Sequence, residues 1–201
     1  MTDMIKEIIK REWDFFQQTK NQGGRASCQE DFETFQIMRG SQFSCWTEEL
    51  CGSYLEDLKE AEQIGRNLIT EKYGRMMETA YPQEYEKMKE VFPQHSQERQ
   101  AITEAIAAIQ VEWLEQFAKE FPKAAGQARV IHSTEDTQWD TSAETYLKGE
   151  LGTYSDRTLL LYGRYIVQLQ QEGRNLTRMI NEAVAKAYGY ADMAAMEAAL
   201  I

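Results

Sequence analysis

The sequence predicts an all-α, single-domain bundle of about eight helices, built from two pseudo-twofold-related four-helix repeats. Three observations predict it. Apolar residues recur at spacings of three and four along nearly the whole chain, and no stretch sustains a period of two. The only prolines, at 82, 93 and 122, fall between helical patterns and not inside them. The tetrapeptide Gly-Arg-Asn-Leu occurs at 65–68 and again at 173–176, 108 residues apart.

The elements follow in order. Ile5, Ile8, Ile9, Trp13 and Phe16 lie at helical spacing behind Thr2, which can cap the helix. The run NQGGRAS then breaks it. Ser27 and Glu30 make a capping box ahead of Phe32, Phe35 and Met38. Thr47 opens the next helix, with Glu48 and Glu49 suited to the positive end of its dipole. Leu50, Tyr54, Leu58, Ala61, Gly65 and Leu68 continue it as one stripe. Pro82 stands at a first-turn position of a short helix closed by Phe92-Pro93.

Ser96 caps a further helix carrying Ile102, Ile106, Ile109, Trp113 and Phe117, which stops before Pro122. A polar, turn-rich stretch from Lys123 to Asp140 follows. Thr141 and Glu144 read as a second capping box. Ser155 and Asp156 open a long helix through Tyr162, Ile166, Leu169, Gly173, Leu176 and Ile180. Gly189 suits a helix C-terminus, and Asp192 caps a last short helix.

The two copies of GRNL have matching surroundings. Tyr54 and Tyr162 each stand eleven residues before the glycine, Leu58 matches Ile166, and Trp46-Thr47 matches Tyr154-Ser155. Met38-Arg39-Gly40 matches Leu147-Lys148-Gly149, and Glu12-Trp13 matches Glu112-Trp113. The expected repeats span 1–92 and 96–201. Gly65 and Gly173 would then face the core where two long helices cross closely. Arg66, Asn67, Arg174 and Asn175 would flank that junction as packing groups or line a ligand site.

A net charge of −11, with Lys and Arg dispersed singly, argues against nucleic acid and anionic membranes as partners. The N-terminal run is interrupted by charges and fits neither a signal peptide nor a membrane span, so a cytoplasmic protein is expected. Three cysteines without a CxxC fit reduced thiols. No metal or cofactor is expected. His95 and His132 are the only histidines, and Phe92 and Arg129 stand where Glu-x-x-His would need its glutamates.

Chemistry concentrates in two stretches. Residues 21–46 place Arg25, Cys28, Asp31, Arg39, Gln42 and Trp46 close together. Gly23-Gly24-Arg25 ahead of a helix N-terminus can hold an anion, and Cys28 in the first turn is a candidate nucleophile activated by the dipole and Arg25. Against this, Ser27 and Cys28 also read as a plain cap and a buried thiol. Residues 141–157 place Glu144, Tyr146, Lys148, Glu150 and Tyr154 together. Glu144 and Lys148 pair on an outer face. Glu150 lies beside the apolar stripe, as a partner for Arg39 or as a general base.

The runs GGRASCQEDFETFQIMRGSQF, EEL…YLEDL…GRNL and TSAETYLKGELGTYS together resemble an uncharacterised bacterial domain-of-unknown-function family, over nearly the whole chain. The resemblance implies a stand-alone bacterial cytoplasmic protein and carries no activity. The sequence leads to three expectations of function. The first is a protein, a binder or an enzyme, that takes a small polar or anionic molecule between its repeats through Arg25, Asp31, Arg39, Gln42, Trp46, Tyr146 and Tyr154. The alternatives are an acidic protein-interaction module and a homodimeric structural protein.

Overall fold

The computed structural model describes residues 1–20 and 24–201. Among the described residues every regular element is helical. The α-helices are α1 (Asp3–Gln18), α2 (Phe32–Ser44), α3 (Glu48–Gln63), α4 (Leu68–Ala80), α5 (Pro82–Met88), α6 (Gln97–Glu120), α7 (Pro122–Gly126), α8 (Ala143–Leu151), α9 (Asp156–Gln171), α10 (Leu176–Ala187) and α11 (Met193–Ala199). Short 3₁₀ turns lie at Ser27–Glu30, Lys89–Val91 and Ser133–Glu135. These eleven helices replace the eight expected because each GRNL splits a predicted long helix in two, and Pro122 starts a further short one.

The split is a correction with a clear cause. Gly65 has φ +71° and Gly173 has φ +66°, so neither is helical. Arg66 N–H bonds to the Ala61 carbonyl at 2.8 Å and Gly65 N–H to that of Glu62 at 3.2 Å. Arg174 with Leu169, and Gly173 with Gln170, repeat the pattern at 2.8 and 3.1 Å. This is a left-handed glycine termination that satisfies the last carbonyls of a helix. A Cβ on either glycine would meet nothing within 4 Å, so no helix crosses there. Positions 58, 61, 65 and 68 mimic one stripe only because Leu68 begins the next helix.

The asparagine then caps that next helix. Asn67 Oδ1 accepts from Thr70 N–H at 2.9 Å, and its Nδ2 donates to the Phe15 carbonyl of α1 at 2.8 Å. Asn175 does the same with Arg178 N–H at 3.0 Å and the Trp113 carbonyl of α6 at 3.1 Å. GRNL is thus a complete helix–turn–helix joint: stop, turn, cap and first core leucine.

Most other helix starts form where their caps predict. Thr2, Thr47, Ser96, Ser155 and Asp192 each accept a backbone N–H of the first turn. Two expectations shift by a residue or more. Ser142, not Thr141, caps α8. Asp31, not Ser27, caps α2, and Ser27 opens a 3₁₀ turn in which Gln29 Oε1 accepts from Ala26 N–H at 3.0 Å. Gly23 of the expected Gly23-Gly24-Arg25 loop lies outside the described residues.

The apolar stripes assemble these helices around one main core. Helix α3 lies against α9, with α1 on α3 and α6 on α9. Helix α4 lies on α8, and α10 lies on α2. Ile8, Phe43, Leu58, Leu151, Ile166 and Leu169 are fully buried in that core. Burial of each such side chain is worth about 1.5–3 kcal/mol. A smaller cluster of Phe117, Phe121, Ala185 and Met193 fastens α7 and α11 to the ends of α6 and α10. Helix α4 approaches α8 closely at Gly149. A Cβ on Gly149 would stand 2.9 Å from Met76 Cγ and 3.0 Å from the Lys72 carbonyl oxygen.

Candidate functional site

Two polar features stand out against this framework: a largely buried network inside the core and a pair of clefts beside it. The network begins on α1. Its buried stripe is Ile5, Ile8, Ile9, Glu12, Phe15 and Phe16, so a glutamate sits in the middle of an apolar face. Glu12 is fully buried and needs a cation. Arg39 of α2 supplies it, with Nε 2.7 Å from Glu12 Oε2 and Nη2 bonded to Oε1. The same guanidinium reaches Glu150 of α8 through Nη1 at 3.4 Å and Nη2 at 3.3 Å. Lys72 of α4, only 3% exposed, places Nζ 3.4 Å from Glu150 Oε2 and 2.7 Å from the Tyr146 hydroxyl.

Neutral groups complete the bonding. Gln42 accepts from Arg39 at 2.7 Å and donates to Glu150 Oε1 at 3.2 Å. Tyr54 donates to Glu12 Oε1 and Tyr154 to Glu150 Oε1, at 2.7 and 3.1 Å. Two carboxylates and two cations balance to zero charge. Burial pushes the Glu150 carboxyl upward, but Arg39 and Lys72 outweigh it and hold it down at about 2. Burial pulls Arg39 and Lys72 down, and their carboxylate and tyrosine neighbours more than reverse it. Burial, then the nearby carboxylates, push the Tyr54 and Tyr154 hydroxyls well up.

Aromatic rings close the network toward α9. The Trp46 ring lies 5.8 Å from Tyr54, 6.2 Å from Tyr154 and 5.3 Å from Tyr162. Tyr162 donates to Gln110 Oε1 of α6 at 2.9 Å, as Tyr54 donates to Glu12. The group that Tyr162 reaches is Gln110, two residues before the Glu112 that the sequence matches to Glu12. Trp46 Nε1 and Gln110 Nε2 are buried without hydrogen-bond partners among the described residues.

The fold therefore brings Arg39, Gln42, Trp46, Tyr146, Glu150 and Tyr154 together from two stretches distant in sequence, with Arg39 and Glu150 111 positions apart. It leaves three other candidates outside. Arg25 is exposed and bonds to Gln17 and to the Gln29 carbonyl. Asp31 is spent on capping α2, and its bonds from Thr34 lower its carboxyl. Cys28 is exposed on the 3₁₀ turn.

The clefts lie on the other side of Tyr154 and Gly152. One, of about 460 Å³, is bounded by the C-terminal half of α3, Arg66, the start of α6 and residues 152–156. The other, of about 550 Å³, runs between α4, α6 and α8. Both are lined by the same strap, Pro93-Gln94-His95, and by Gly152. His95 Nε2 lies 2.9 Å from the Gly152 carbonyl oxygen. A carbonyl only accepts, so Nε2 carries the proton. Burial, then Arg75 and Arg99, depress the imidazole's basicity.

Arg99 of α6 holds this corner together. Its Nη2 donates to the Leu151 and Tyr154 carbonyls at 3.2 and 2.5 Å, and Nη1 pairs with Asp156. Arg75 Nη2 bonds to Glu71 and to the Pro93 carbonyl, both at 2.8 Å. Asp57 accepts from Ser155 N–H at 2.9 Å. Of the sequence candidates Tyr154 and Arg66 border the first cleft and Lys148 the second. Neither cleft is lined by Arg39, Gln42 or Glu150.

Sequence reasoning missed Glu12, Lys72, His95 and Arg99. Glu12 has a readable signal, a charge at i+3 and i+4 from Ile9 and Ile8 on a core stripe. Lys72 has the same signal four residues after Leu68, hidden while α3 and α4 read as one helix. His95 and Arg99 act on backbone carbonyls of residues 151–154, which leaves no local pattern.

Among the described residues no group of three or more His, Cys, Asp or Glu side chains is placed to hold a metal ion, and no helix is long and apolar enough to cross a membrane. The model of a family described as "Protein of unknown function (DUF4125)" matches residues 2–198. No curated protein and no solved structure matches the chain.

Proposed function

The chain belongs to the DUF4125 family, whose description carries no activity, and we propose from geometry alone that it binds a small polar molecule in the paired clefts astride His95. The observation that carries the reading is the shared wall. Two polar clefts meet at one strap, Pro93-Gln94-His95, which joins the proposed repeats 1–92 and 96–201. Both proposed repeats contribute lining: Asp57, Glu60 and Arg66 on one side, Ser96, Arg99 and Ser155 on the other. Both signs of charge are present. That suits a small zwitterion or a neutral polar molecule better than a polyanion. The largely buried network serves as a rigid floor: it fixes Glu150, and through Tyr154 it fixes the turn that borders the cleft.

The duplication behind this arrangement is part of the proposal. It is supported by the matched GRNL joints, by the paired Tyr54–Glu12 and Tyr162–Gln110 bonds, and by the reciprocal seating of α4 on α8 and α10 on α2. Work in a bacterial cytoplasm belongs to the same reading.

Amide spectra of the labelled protein test it. A panel of amino acids, polyols and small carboxylates is added to the protein and to Glu60→Trp, which fills one cleft from an exposed helix position. The expected result is a class that shifts the amides of residues 94–99 and 152–156 in the parent and less in the variant. A panel that moves none of these amides at millimolar concentration overturns the reading.

A further inference from the structure

Both clefts border one imidazole, and its two nitrogens do different work. Nε2–H is tied to the Gly152 carbonyl at 2.9 Å. Nδ1 has no hydrogen-bond partner among the described residues and is not among the buried unsatisfied atoms, so it is accessible on a residue that lines both clefts. We infer that His95 is the proton acceptor of the cleft, presenting an unprotonated Nδ1 to an uncharged hydroxyl of the bound molecule. The inference rests on the cleft reading and names the part of the ligand that faces the strap.

The surroundings select the donor. Arg75 of α4 and Arg99 of α6 are the nearest positive charges, with Glu71 of α4 beyond Arg75. Asp57 and Glu60 of α3 and Asp156 at the start of α9 also line one cleft, Asp156 paired with Arg99. Glu78 of α4, Glu104 of α6 and Lys148 of α8 line the other. Arg75 and Arg99 are paired with Glu71 and Asp156, yet at the ring their positive charge outweighs the negative charge of Glu71, which disfavours an ammonium donor there and leaves the hydroxyl. They also disfavour the imidazolium, so the ring stands ready as a base at neutral pH. When a proton moves, the O–H bond breaks and its electron pair stays on oxygen. The Nδ1 lone pair forms the new N–H bond. The ring becomes imidazolium with Nε2–H still on Gly152, and the new alkoxide stays in a cleft lined by Arg99 on one side of the strap or by Arg75 on the other.

Two measurements decide it. Long-range ¹H–¹⁵N spectra of the imidazoles at neutral pH should show His95 with Nε2 protonated and Nδ1 bare. Diethylpyrocarbonate should carbethoxylate His95 in the folded protein, with His132 as internal reference. Glycolate should slow that reaction and shift the His95 ring more than acetate, which has the same carboxylate and no hydroxyl. A proton on Nδ1, an unreactive His95, or an equal or absent response to the two acids overturns the inference. Other compounds shifting residues 152–156 without touching His95 would leave the cleft reading standing and remove this one.

Discussion

Tyr54 donates its hydroxyl hydrogen to Glu12 Oε1 across 2.7 Å, at a carboxylate that is fully buried. The glutamate also takes two bonds from Arg39. Glu12→Gln keeps the size and an acceptor for Tyr54 but removes the charge that Arg39 needs. Arg39 would keep only Glu150, which it shares with Lys72 at 3.3–3.4 Å. Breaking a buried pair from one side costs about 3–5 kcal/mol. Urea unfolding of Glu12→Gln should show a loss of that size at unchanged slope. A loss below about 1 kcal/mol would mean that the network contributes no more than a surface pair.

Glu150 makes the same network sensitive to acid. Its carboxyl is held at about 2, below its ordinary value of 4.5, so the folded state binds the proton less readily than the unfolded chain. The stability from this group is fully present above 4.5 and is lost as pH falls through about 2. The thermal midpoint should therefore decline over that window, and Glu150→Gln should flatten the decline while lowering the midpoint at neutral pH. An unchanged slope in the variant would assign the acid response to other carboxylates.

How much of this was legible depends on how locally each signal is written. Caps at Thr2, Thr47, Ser96, Ser155 and Asp192 are local chemistry, and they form where they are read. The Arg39–Glu150 contact spans 111 positions, yet a charge beside the α8 stripe hinted at it. Gly65 and Gly173 misled because a helix stop followed by a capped restart keeps apolar residues near helical spacing. The His95 corner was invisible. Its partners are backbone carbonyls at 151, 152 and 154, and backbone atoms have no residue identity to read.

The cysteines should separate by reactivity. Cys28 is exposed, Cys45 is half-buried and Cys51 is buried. Burial pushes the Cys45 thiol up and takes that of Cys51 to about 11, which suppresses the thiolate that reacts. A chromogenic disulfide should titrate one thiol quickly in the folded protein, absent in Cys28→Ser, and the other two only on denaturation. A fast signal that survives Cys28→Ser would show that α2 or α3 opens on the timescale of the assay.

Glycine substitutions distinguish the two ways a glycine can be required. At Gly65 the backbone has φ +71° and the space around a new Cβ is empty. Gly65→Ala should cost about 1–2 kcal/mol through left-handed strain. Gly65→Asn should cost less, since asparagine tolerates that region. At Gly149 the backbone is helical, where alanine would gain up to about 1 kcal/mol in propensity. There the methyl meets Met76 Cγ at 2.9 Å and the Lys72 carbonyl oxygen at 3.0 Å. Met76 can swing aside, but the carbonyl belongs to α4 and moves only with the helix. Overpacking of about 1–3 kcal/mol should therefore outweigh propensity, and Gly149→Asn should be worse than Gly149→Ala. The order of alanine and asparagine is expected to reverse between the two sites in urea unfolding. The same order at both would mean that either the turn at Gly65 or the α4–α8 contact is not as described.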